Sequence, residues 1–233
     1  MELRKREVLV YGAIIVVFLL TVQLSNRFAT VFSEQILPKG SNCIVIDPGH
    51  GGVDGGATSC TGKLESHYNL EIALRLNTLF RFLGYDTKMI RTEDISIHTK
   101  GDTIAQKKIF DLKERVRIVN ETDNGLLISI HQNIYSDSRY SGAQVFYPNT
   151  SGSKELAEKL QTTLIAQLNP GSTRRCKRSE GIYLMEHIQK RGILVECGFL
   201  SNPEEAAKLA TSMYQKKLSC VIAGTVSCYL SNT

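Results

Sequence analysis

The 233-residue sequence predicts an α/β fold: a single domain with a mainly parallel twisted sheet flanked by helices, preceded by an N-terminal hydrophobic segment. Three observations predict it. Apolar runs of strand length recur at residues 43–46, 126–130 and 193–195. Segments with apolar residues at helical spacing lie between and after them. The runs are almost continuously apolar, with Ser129 the one polar residue, as strands buried on both faces are.

The elements come in a simple order. Residues 43–46 form a first strand, which runs directly into Asp47-Pro48-Gly49-His50-Gly51-Gly52. A helix over about 65–83 carries Ile72, Leu76, Leu79, Phe80 and Leu83 on one stripe, with Gly84 just past its end. Residues 85–91 alternate like a strand. The polar stretch 93–111 is long for a connection in a compact domain. A helix with Leu112, Val116 and Val119 then leads into the buried-type strand 126–130, and 143–147 makes a further strand. Ser153 opens a helix striped by Leu156, Leu160, Leu164 and Leu168, which Asn169-Pro170-Gly171 stops. After the strand at 193–195, Asn202-Pro203-Glu204-Glu205 reads as a helix start, with a side-chain cap followed by proline at the first helical position. A last helix carries Tyr214, Leu218, Val221, Ile222, Thr225 and Tyr229.

Composition sets the class. At 42% hydrophobic and 22% charged the chain is an ordinary globular protein, and part of its net charge of +5 sits locally at Arg4, Lys5 and Arg6. No nucleic acid partner is expected, since the binding motifs are missing and the cluster Arg174, Arg175, Lys177 and Arg178 lacks interleaved aromatics. That cluster reads as a solvated loop. Residues 8–24 are almost wholly apolar, at the lower limit for spanning a bilayer, and the basic residues before them predict export of the downstream chain. Residues 1–25 are thus read as a membrane anchor or signal segment, 26–40 as a stem or linker, and 41–233 as the functional domain. A weak cleavage site, Val31-Phe32-Ser33, lies far beyond the run, which favours an uncleaved anchor. The six cysteines include no C-x-x-C pair and are read as mostly free thiols rather than a thiolate zinc site.

Three strands end in a chemically capable residue: CIVIDPGH at His50, LLISIH at His131 and ILVE at Glu196. In a parallel sheet the strand C-termini share one edge, where ligands bind. Two imidazoles on that edge make a candidate zinc site short of a third ligand. Glu65 is the natural third, because the helix after strand one begins at the same edge and its dipole favours a carboxylate there. A His50-Glu65-His131 set leaves a position for water, the mark of a catalytic zinc. Glu196 is then free to accept a proton from the attacking water and to deliver it to the departing nitrogen. The competing role for Glu196, as a fourth ligand, would close the site.

The motifs DPGHGGVDGGA, GKLESHYNLEIA, ISIHQN and LVECGFLSN, in this order, resemble those of the zinc-dependent N-acetylmuramoyl-L-alanine amidases of bacterial cell walls. The resemblance covers residues from about 43 to 230. It implies zinc on His50, Glu65 and His131, a catalytic Glu196, and hydrolysis of the amide between N-acetylmuramic acid and L-alanine in peptidoglycan. The family usually has Lys-Asp after the metal glutamate, where this chain has Ser66-His67. Two residues along a helix from Glu65, His67 is expected to face away from the metal, and Asn69 to orient Glu65. Arg115 matches a recurring family arginine, which either pairs with an acid that braces the rim or lies on a solvated face. The stretch around Thr99-Lys100-Gly101-Asp102 resembles an insertion of the spore-cortex branch, which helps form muramic-δ-lactam. An accessory protein is a further possible partner. A zinc carboxypeptidase on stem peptides, with Arg174 and Arg175 holding a terminal carboxylate, and a non-catalytic wall-binding protein are the competing readings. His98 and His187 are read as solvated loop positions, and Tyr183 and Met185 as core.

Overall fold

Residues 42–232 are described by the computed structural model, so the apolar segment and stem at 1–40 lie outside the described residues. Strand β1 (Cys43–Pro48) is buried along almost its whole length, and the chain then alternates helix and strand. The elements are α1 (Glu65–Phe82), β2 (Thr87–Met89), α2 (Ile104–Asn120), β3 (Gly125–Asn133), β4 (Gln144–Tyr147), α3 (Ser153–Leu168), β5 (Lys177–Arg178), α4 (Tyr183–His187), β6 (Arg191–Phe199), α5 (Pro203–Leu209) and α6 (Ser212–Leu230). The six strands form one sheet in the order β2-β1-β3-β6-β4-β5. All neighbours run parallel except β4 against β6. The expected α/β fold with a mainly parallel sheet is what forms.

Helices cover the two faces unequally. One face carries a large apolar core: Ile44 and Ile46 of β1, Leu126, Ile128 and Ile130 of β3, and Ile193 and Val195 of β6 pack against α1, α3 and α6. The predicted stripes Ile72/Leu76/Phe80 and Leu156/Leu160/Leu164 are fully buried there, as helical periodicity requires. The other face has a smaller cluster around Val45, Leu127 and Leu194, closed by Val119, Leu184 and Met185.

Several boundaries differ from expectation. The strand expected at 85–91 pairs only over Thr87–Met89. Helix α2 begins at Ile104, so much of the polar stretch is helix rather than connection. Its first turns have no apolar stripe to announce them. A capping box does: the Thr103 hydroxyl accepts from the Gln106 amide while the Gln106 side chain accepts from the Thr103 amide. The buried face of α2 is also not the apolar one that the sequence suggests. Asp111, Arg115 and Val119 point inward, at i, i+4 and i+8. The short β5 and α4 have no legible signal in the sequence. Met185 is core as expected, whereas Tyr183 is only partly buried and stacks on His187. All six cysteines are free; Cys197 is buried, while Cys60, Cys220 and Cys228 are exposed.

Candidate metal centre

The end of β1 builds the first half of the site. After Pro48 the chain enters a left-handed turn in which even His50 has φ 61°. A non-glycine residue there carries strain of about 1–3 kcal/mol, kept only when its surroundings over-determine it. Two buried guanidinium groups do so. Arg91 donates to the carbonyls of Pro48 (2.9 Å), Gly49 (3.0 Å) and Ser66 (2.9 Å). Arg115 donates to those of Pro48 (3.0 Å) and His50 (2.7 Å) and pairs with Asp47 and Asp111. Asp47 also accepts from the Ser129 hydroxyl, so β1, β3 and α2 meet in one polar brace. Burial, the largest single influence, would raise the Asp47 pKa, but the charge and hydrogen bond of Arg115, the neighbouring His131 and the Ser129 hydroxyl together hold it below the usual carboxylate value.

The glycines of this turn are required by close approach. A Cβ on Gly49 would fall onto the His131 ring, and one on Gly56 would lie 2.6 Å from Glu65 Oε2. The loop also replaces a helix cap. The Glu65 and Ser66 amides, orphans at the start of α1, donate to the carbonyls of Ala57 and Gly55. Glu65 Oε2 in turn accepts from the Ala57 amide at 3.0 Å.

Here β1, α1 and β3 converge. One ligand atom each from His50, Glu65 and His131 lies within 4.8 Å of the others. Glu65 Oε2 is 3.3 Å from His50 Nε2, and Oε1 is 3.0 Å from His131 Nδ1. The Glu65 side chain is only 5% exposed, against 25% and 20% for the histidines, so the set opens toward solvent on the imidazole side. Further hydrogen bonds fix the carboxylate: Asn69 Nδ2 donates to Oε1 at 3.2 Å and the Gln132 amide at 3.0 Å, while the Gln132 side chain holds Asn69. Asn69 thus orients Glu65 as expected. His67 faces away, toward Asp94 at 3.1 Å.

Glu196 stands beside the trio without joining it. In register it is the partner of His131 across β3–β6 and of Gln144 across β6–β4. Its Oε2 is buried with no hydrogen-bond partner. Burial pushes its pKa up to about 7; the neighbouring imidazoles lower it and Glu65 raises it.

Sequence reasoning misses Asp54 and Lys108. His50 Nδ1 lies 2.9 Å from Asp54 Oδ2, and Lys108 Nζ lies 2.7 Å from Asp54 Oδ1. A carboxylate on the remote nitrogen fixes the tautomer that leaves Nε2 free as a ligand. The available signal is an acid among the glycines of HGGVDGG; Lys108, on a turn of helix that no apolar stripe announces, gives none. Burial lowers the His50 pKa, but the hydrogen bonds to Asp54 and Glu65 outweigh it and raise it to about 9. The cluster therefore attracts positive charge.

Residues 44–227 match the family of N-acetylmuramoyl-L-alanine amidases. The chain belongs to that family. It is 39% identical over 214 residues to the germination-specific N-acetylmuramoyl-L-alanine amidase of Bacillus subtilis (strain 168), covering 91% of this chain and 88% of the relative. Among solved structures it is similar to the CwlD amidase from Clostridioides difficile in complex with the GerS lipoprotein (TM-score 0.79, 34% identity, 83% of this chain and 100% of that one). It is also similar to an amidase from Clostridium difficile 630 (TM-score 0.72, 31% identity, 84% and 100%). The amidase is an enzyme whose substrate is peptidoglycan, cut between N-acetylmuramic acid and L-alanine.

Proposed function

We propose that this amidase uses zinc held by His50, Glu65 and His131, with Glu196 as its general acid–base, and that it acts on spore cortex in the formation of muramic-δ-lactam. The single observation that carries the catalytic reading is the buried, unpartnered Glu196 oxygen beside a three-residue ligand set. The donors suit zinc: two imidazoles and a carboxylate, with His50 backed by Asp54 and Glu65 by Asn69 and the Gln132 amide, and with an open side. Zinc bound there would lower a water's pKa to roughly 7 and polarise the substrate carbonyl.

The protein's own groups do the rest. Asn69 and the Gln132 amide hold Glu65 in place, and Asp54 holds the His50 ring. Glu196, poised near neutrality by burial, accepts the proton of the attacking water and passes it to the leaving alanine nitrogen. Keeping Glu196 Oε2 unpaired leaves that oxygen free for the transfer.

The cortex role draws on the germination-specific relative, and a lipoprotein partner on the complex formed by the Clostridioides difficile neighbour. Residues 1–25 are proposed as the anchor or signal segment and 26–40 as the stem that presents the domain outside the membrane. Digestion of purified peptidoglycan with and without zinc, with mass analysis of the products, tests the reading. New L-alanine amino termini on intact glycan are expected; shortened stems would mean a peptidase instead. The Glu196→Gln variant should keep its zinc and lose about 10²–10⁴-fold in turnover.

A further inference from the structure

Sequence alone places Arg174 in a solvated loop. In the fold it is only partly exposed, and its guanidinium lies over the Phe199 ring, 4.8 Å from the centroid. Nε donates to the Ser141 carbonyl at 2.8 Å and Nη1 to Gln144 Oε1 at 2.9 Å. Among the described residues no acceptor meets Nη2. A stacked, twice-tethered guanidinium with a free edge is preorganised for a carboxylate.

Its place relative to the reaction is set by strand register. Gln144, which holds Arg174, is the cross-strand partner of Glu196, so the two side chains lie on one face of the sheet. The pairing of β3 with β6 shifts after His131, so that Phe199 pairs with Asn133 and returns to that same face. One strand spacing of about 5 Å plus a glutamine side chain puts the guanidinium within about 10 Å of Glu196. An extended peptide covers that in two or three residues, at about 3.4 Å each.

The surroundings suit an acidic peptide. Arg174 lines an open crevice of about 950 Å³ with Tyr140, Gly142, Asn169, Arg139 and Lys208. Asp137, the acid on this surface, is taken up by Arg139. Glu205 lies buried beneath the loop and accepts from the Gly142 and Phe199 amides, so it supports the crevice floor.

We infer that Arg174, stacked on Phe199 and tethered by Gln144, is a specificity-determining residue that binds a carboxylate two or three residues beyond the scissile amide, on the peptide side of the substrate. The inference rests on the amidase reading. Arg174 then selects stem peptides with a free carboxylate over the same peptides with that group amidated.

The test compares zinc-loaded enzyme on two soluble muropeptides, identical except that the carboxylate following L-alanine is free in one and amidated in the other. Wild type should prefer the acid form about 10- to 100-fold in kcat/KM, mainly through KM. Arg174→Gln should lose that preference. Arg174→Lys, keeping charge without the stack, should fall between. Equal wild-type rates on the two forms would overturn the inference whatever the variants do, as would an Arg174→Gln enzyme that keeps its preference. A wild type that cleaves neither form, yet opens the amide in whole peptidoglycan, would also overturn it while leaving the amidase reading intact.

Discussion

The two faces of the sheet are built on different principles. Under α1, α3 and α6 the contacts are almost purely apolar, and β-strand residues such as Ile44, Ile128 and Val195 are fully buried. Under α2 a smaller apolar cluster that includes Val119 is joined by an ionic contact: Arg115 is 2% exposed and meets Asp47, Asp111 and two backbone carbonyls. The apolar face is non-directional and stabilises the domain through buried area. The ionic face is directional, and its hydrogen bonds end on the turn that carries His50. Stability and site geometry are therefore separable, and each can be attacked alone.

The sharpest break is at Arg115. Arg115→Met leaves Asp47 and Asp111 buried and unpaired, a loss of about 3–5 kcal/mol. Because the same side chain holds the His50 carbonyl, zinc affinity should fall with stability. Leu160→Ala on the apolar face should cost a comparable 2–5 kcal/mol or so yet leave zinc affinity within error. Urea unfolding paired with a competing-chelator titration reads both; equal zinc loss in the two variants would merge the faces.

A smaller effect isolates the metal side. Asp54→Ala should weaken zinc by about 10- to 100-fold with little change in unfolding midpoint, because the His50 ring loses its partner while the other groups that meet Asp54, Lys108 and the Gly56 amide, are exposed. Lys108→Ala, one step further out, should move affinity less. Chelator competition checks both, and unchanged affinity in Asp54→Ala would remove the aspartate from the site.

The smallest effect is a slope. Glu196 has its pKa raised from 4.5 to about 7 by burial, so the folded protein binds more protons than the unfolded chain between those values. Stability of the metal-free protein therefore falls as pH rises through that window, and the contribution is fully present below it. Glu196→Gln, which cannot ionise, should flatten the slope and be the more stable protein at pH 8, while being nearly inactive. Thermal melts across pH 4–8 would show it.

How much is legible in the sequence depends on the same contrast. The strands at 43–46, 126–130 and 193–195, the stripes of α1 and α3 and the Asn202-Pro203 cap are readable because burial and capping leave local patterns. The first turns of α2 escape because its buried face carries Asp111 and Arg115 ahead of Val119, which breaks the hydrophobic period there. Strand β5 escapes because a two-residue pairing leaves no periodic trace. At the site, His50, Glu65, His131 and Glu196 stand out as polar residues at strand or helix ends. Asp54, Lys108 and Arg91 do not, since a charged residue in a loop looks the same whether it is solvated or braces a ligand.

By itself, then, the sequence determined the layered architecture, the edge at which chemistry could gather, and the four residues fit to carry it, because strand order and residue type constrain these locally. Only the tertiary structure decided which oxygen of Glu65 meets which imidazole, that Glu196 is left without a partner, and that Arg174 rests on Phe199 beside Gln144. Those are contacts between residues distant in the chain. Hydrogen bonds and desolvation act over a few ångströms of space, and nothing in the spacing of letters records that distance.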